Sequence, residues 1–125
     1  MLITADRILL GDADSLVAGW VETEGEGIVA TGTGAPPRPA DEHLAGIVIP
    51  GYVDVHSHGG GGASFVTEDP EVARQALAAH RRLGVTTMVA SLVTGTTPDL
   101  ERQVECLAGL VESGELAGIH LEGPW

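Results

Sequence analysis

Hydrophobic and polar positions along the chain follow two different rhythms, and the change falls near Pro50. Before it, the pattern is one of short strands and turns. Residues 2–10 form a strand candidate, closed by the turn signal Gly11-Asp12-Ala13-Asp14. The apolar/polar alternation over 19–24 predicts a second strand, Gly25-Glu26-Gly27 a turn, and residues 28–31 its hairpin partner. The glycines and prolines of 32–39 predict a loop.

After Pro50 the rhythm becomes strand, helix, strand. Residues 52–56 are a short, mostly apolar run, as expected for a strand buried on both faces. A glycine cluster, 59–62, follows. Asp69 is a good N-cap, Pro70 suits the first helical position and Gly84 closes the helix. Val72, Ala76, Leu77, Ala79 and Leu83 would share its apolar face. Residues 85–90 are a β-branched strand. Thr97-Pro98 opens a second helix, with Leu100, Val104, Leu107 and Val111 at helical spacing, and Ser113-Gly114 ends it. Residues 116–121 are a third strand. The strands start near 52, 85 and 116, or 33 and 31 residues apart. A (β/α)8 barrel needs about 31 residues per unit, but a flavodoxin-like sheet has much the same cadence. Two βα units and a third strand leave a sheet edge open, so the chain reads as the beginning of something larger.

Composition narrows the chemistry. The 125 residues are 43% hydrophobic, enough for a core, and 18 acidic residues against 6 basic ones give a net charge of −12. That argues against nucleic-acid or membrane partners, which need clustered cations; a small anion could still be held by backbone N–H groups or one Arg. All six basic residues are Arg. Without lysine there is no phosphate-binding Walker loop, no lysine Schiff base and no carbamylated lysine between two metals. A single cysteine, Cys106, excludes an internal disulfide and reads as a small packed side chain. No leader pattern and no apolar run of ~18 residues is present, so the expectation is a cytoplasmic protein.

The candidate chemistry sits at strand ends. His56 and His58, two apart on a strand, point the same way, and neutral imidazoles suit zinc or iron. A surface pair of histidines would look the same. Asp54 is a candidate to orient an imidazole or to bond a neighbouring strand. Glu122, past the third strand, could add a carboxylate to the histidine pair or lie exposed in a loop. Gly59 and Gly60 open a run that could approach a ligand or form a flexible loop. His120 is a candidate to ligate or to support the site, or a satisfied core histidine, whereas His43 and His80 read as solvated.

Pro50-Gly51-Tyr52-Val53-Asp54-Val55-His56-Ser57-His58-Gly59 resembles the first barrel strand of the amidohydrolase superfamily, with its HxH pair. His120-Leu121-Glu122-Gly123-Pro124-Trp125 is similar to the third-strand motif of the N-acetylglucosamine-6-phosphate deacetylase family. Residues 60–65, 84–87 and the lead-in from 19 to 50 resemble that family too, so the resemblance covers essentially the whole chain, as an N-terminal portion. It implies an α/β protein in which residues 1–49 contribute strands to a small β-sandwich. Residues 50–125 would begin a (β/α)8 TIM-type barrel with two βα units and a third strand. It implies a divalent metal, zinc or iron, held by Glu122 with His56 and His58, the histidine pair favouring a two-metal site. The metal would activate water and polarise an acetamide carbonyl, turning a small phosphorylated amino sugar into glucosamine 6-phosphate and acetate. The full-length enzyme would be a homo-oligomer. The general acid/base aspartate and two further histidines are expected beyond residue 125, so these residues alone should not turn over substrate. The alternatives are another amidohydrolase, such as a cyclic amidase or deaminase, which Glu122 in its motif counts against, and a non-catalytic truncated chain.

Overall fold

The computed structural model describes residues 1–11 and 15–124; positions 12–14 of the first predicted turn, and Trp125, lie outside the described residues. The chain is α/β and divides into two compact units, Met1–Pro50 and Gly51–Trp125.

The first unit is one mixed sheet of β1 (Leu2–Ile8), β2 (Val17–Glu24), β3 (Gly27–Thr33) and β4 (Glu42–Val48), in the order β3-β2-β1-β4. The first three strands form an antiparallel meander, and β4 runs parallel to β1. Leu2, Ala5 and Ile8 are buried. The strand β4 was not foreseen, because it contains Gly46 and lacks a clean alternation. It is held by groups far away in sequence. The carboxylate of Asp41 accepts the N–H of Leu2 at 2.6 Å, and the N–H of Asp41 donates to the Leu2 carbonyl at 2.8 Å. Arg38 clamps the same carboxylate and Glu22. That clamp and the Leu2 N–H, the larger cause, hold the Asp41 carboxyl below the ordinary carboxylate range.

The second unit carries the parallel sheet β5-β8-β9, built from β5 (Tyr52–Ser57), β8 (Val85–Leu92) and β9 (Gly118–Leu121). The crossovers contain α1 (Pro70–Arg81) and α2 (Thr97–Glu112). Asp69 caps α1 as its sequence demands, its carboxylate accepting the Glu71 N–H at 2.9 Å, and Thr96 caps α2. The core is Phe65, Ala73, Ala76, Leu77, Met88, Ala90, Leu92, Leu100, Leu107, Leu110 and Leu116. Leu83, expected on the buried face of α1, lies past the helix end and is 77% exposed. The strand β5 is not buried on both faces either: it is the sheet edge, with one neighbour, and Tyr52, Val53 and Val55 are exposed.

The glycine run folds as a short hairpin. β6 (Gly59–Gly60) and β7 (Ala63–Ser64) pair antiparallel around Gly61 and Gly62, whose φ angles are 61° and 83°. Positive φ at both central positions is the turn that a two-residue hairpin prefers, and glycine adopts it without a Cβ clash. No helix among the described residues is long and apolar enough to cross a membrane.

Candidate metal centre

The parallel register fixes where the chemistry converges. Ser57 pairs with Ala90, and Ser91 with His120, so the C-terminal ends of β5, β8 and β9 lie side by side. The N–H of Glu122 donates to the Leu92 carbonyl at 3.0 Å, carrying the ladder one residue past β9. This projects Glu122 toward the histidine pair across the end of β8.

His56 and His58 present their Nε2 atoms 3.2 Å apart, and each lies 3.2 Å from the same oxygen, Glu122 Oε1. The three donor atoms thus make an equilateral triangle. A tetrahedral ion with bonds of ~2.0–2.1 Å to nitrogen and oxygen has its ligand atoms about 3.3 Å apart, so the triangle matches one face of that tetrahedron. The protonation pattern points the same way. His58 Nδ1 lies 3.0 Å from the Ser91 carbonyl oxygen, which can only accept. The proton of neutral His58 is therefore on Nδ1, and its Nε2 lone pair faces the triangle. A carbonyl that fixes tautomer and ring orientation is the usual outer partner of a metal-binding imidazole. A carboxylate oxygen and a bare imidazole nitrogen held this close repel each other unless a proton or a cation lies between them. Among the described residues, this is the group of histidine, cysteine and acidic side chains placed to hold an ion.

The surrounding residues take roles that sequence alone left open. Ser91, fully buried, offers its carbonyl to His58 and its hydroxyl to His120 Nδ1 at 3.2 Å. The His120 ring stands 5.2 Å from that of His56, tilted by 54°. Asp54 does not touch the rings of His56 or His58: its Oδ1 accepts the backbone N–H of His56 at 3.0 Å, while its Oδ2 is 4.0 Å from His80 Nδ1. His80 is not solvated as expected. It is largely buried and bonded to the Gly59 carbonyl, whereas His43 is exposed and pairs with Asp6 at 3.2 Å. Ser91 and His80 were missed because both act through backbone atoms distant in sequence. His80 did carry a signal, lying three and four positions after Leu77 and Ala76 and hence on the buried face of α1.

No family model matches the chain. Among curated proteins, it is 30% identical over 94 residues to the N-acetylgalactosamine-6-phosphate deacetylase of Escherichia coli O157:H7, covering 71% of this chain and 25% of that protein. Among solved structures, it matches N-acetyl-D-glucosamine-6-phosphate deacetylase from Mycobacterium smegmatis with a TM-score of 0.93 and 50% identity, over 100% of this chain and 36% of that one. A mutant of that enzyme, solved in complex with N-acetyl-D-glucosamine-6-phosphate, matches with a TM-score of 0.93 and 51% identity, over 100% and 33%. The chain therefore spans about a quarter of the curated relative and about a third of the solved ones. By sequence and by fold, over its whole length, the chain is similar to a part of the N-acetylglucosamine- and N-acetylgalactosamine-6-phosphate deacetylases.

Proposed function

We propose that His56, His58 and Glu122 hold a divalent zinc or iron ion in a protein that hydrolyses the acetamide of N-acetylglucosamine 6-phosphate to glucosamine 6-phosphate and acetate. The observation that carries this reading is the 3.2 Å triangle of His56 Nε2, His58 Nε2 and Glu122 Oε1. Such an ion, when bound, lowers the pKa of water and polarises a carbonyl oxygen. The chain's part is to hold it. Glu122 supplies negative charge from the end of β9, His58 is aimed by the Ser91 carbonyl, and His56 is anchored through its backbone by Asp54. Three protein donors, from the ends of β5 and β9, would leave a four-coordinate ion able to take water or substrate, as hydrolysis requires.

The same reading makes residues 1–49 part of a small β-sandwich, and residues 50–125 the first two βα units and third strand of a (β/α)8 barrel. Strand ends on one side of a sheet are where barrel enzymes place their chemistry. The acid/base group and the groups that bind the sugar phosphate belong to the rest of that barrel, and the complete enzyme is a homo-oligomer. The gluco-configured substrate is preferred over the galacto-configured one because the identity is 50% to the M. smegmatis glucosamine enzyme and 30% to the galactosamine enzyme.

The test is a chimera in which these 125 residues replace the matching segment of the M. smegmatis enzyme. It should release acetate from N-acetylglucosamine 6-phosphate faster than from its galacto epimer, and lose that activity in Glu122→Ala. A stable, metal-loaded chimera that released none would refute the proposal. The 125-residue chain alone should release no acetate.

A further inference from the structure

We propose that His80 is a positioning residue for the metal centre, pinning the segment 56–60 to helix α1 from behind. The inference rests on the metal reading only for its consequence, since the brace itself is a matter of geometry. His80 lies in the last turn of α1, a helix anchored in the core by Ala73, Ala76 and Leu77. Its Nε2 is 3.0 Å from the Gly59 carbonyl oxygen and 3.3 Å from Ser57 Oγ.

A carbonyl only accepts, so Nε2 carries the proton and donates it to Gly59. Ser57, buried between the two candidate ligands, faces away from them by strand alternation and meets His80 on the opposite side. Its hydroxyl in turn contacts both the carbonyl and the N–H of Gly59, at 3.3 and 3.4 Å. Asp54, whose other oxygen holds the His56 N–H, faces the far nitrogen of the same imidazole at 4.0 Å. One ring thus touches or faces residues 54, 57 and 59, and those bracket both His56 and His58.

Gly60 completes the fit. A Cβ there would lie 2.6 Å from His80 Nε2, so a larger residue would have to push the ring off its partners at 57 and 59. The glycine at 60 is thereby explained by the brace, with no ligand required.

The test compares His80→Leu, which removes the donor but keeps bulk, with His80→Gln, whose side-chain N–H reaches about the position of Nε2. Amide hydrogen exchange at His58, Gly59 and Gly60, followed by NMR without metal, should rise about tenfold in His80→Leu and return close to wild type in His80→Gln. Exchange at core amides such as Leu107 should stay unchanged. Zinc affinity, measured by competition with a chromophoric chelator, should fall about tenfold in the Leu variant, at the lower end of what outer partners of metal ligands cost, and recover with Gln. Unchanged exchange at 58–60, a rise spread evenly over the core, or no rescue by Gln would overturn the proposal. Absence of zinc binding in the wild type would instead refute the metal reading, with the exchange arm still deciding the role of His80.

Discussion

Glu122, His56 and His58 are each expected to be individually indispensable, because a three-donor site that loses one donor keeps only two ligands for the ion. Glu122→Ala also removes the negative charge that offsets the cation, whereas His56→Ala removes a neutral donor. Both should weaken zinc binding beyond the roughly 10–100-fold that outer partners cost, as isothermal titration would show. An unchanged affinity in His56→Ala would remove that residue from the site. These three residues were legible in the sequence because strand alternation alone aligns 56 with 58, and the third strand ends just before 122. Ser91 was not legible: its key group is a backbone carbonyl, which every residue possesses, and only the register of β5 against β8 brings it under His58.

At the level of elements, the helices are specified by their ends and held by their buried faces. Removing the Asp69 cap with Asp69→Ala should cost about 1 kcal/mol, and Leu107→Ala, at a fully buried site on α2, about 2–5 kcal/mol. Urea unfolding followed by circular dichroism measures both, and equal costs would contradict the assignment of Leu107 to the core. A charged clamp joins α1 to the turn after α2. Arg74 bonds Glu115 through Nε and Nη2, at 3.0 Å for the closest contacts, and also pairs with Glu71. Those bonds, followed by one from the Ser113 hydroxyl, hold the Glu115 carboxyl below its ordinary value of 4.5. The folded state then binds this proton less readily than the unfolded chain. The clamp's contribution is complete above pH about 4.5 and fades as pH falls below it through the folded value. The melting-temperature advantage of wild type over Glu115→Gln should accordingly be steady at pH 7 and shrink below about 4.5; an advantage independent of pH would break the link. Helices α1 and α2 could be read from Asp69-Pro70 and Thr97-Pro98, since capping is local chemistry. The hairpin of β6 and β7 could not, because two-residue strands carry no period, and β4 is set by Asp41 and Leu2 across the sheet.

Taken whole, the molecule exposes large apolar side chains on several of its strands. Ile28 and Val29 on β3, and Val53 and Val55 on β5, are all more than half exposed. An edge strand with exposed valines is a template for pairing with another chain. The isolated 125 residues should therefore self-associate as concentration rises in sedimentation velocity, and charged substitutions at Val53 and Val55 should suppress it; a monodisperse monomer at high concentration would count against this. The strand–helix cadence after Pro50 conveyed the local order of elements, but periodicity reports which residues seek burial and not what covers them. This is why Val53 and Val55 were expected inside and lie outside. The central claim is that His56, His58 and Glu122 converge on one divalent ion. Its most direct test is elemental analysis of the gel-filtered 125-residue chain beside Glu122→Ala. The account predicts about one zinc or iron per wild-type chain and almost none in the variant. A wild-type chain without metal, or equal metal in both proteins, would contradict it.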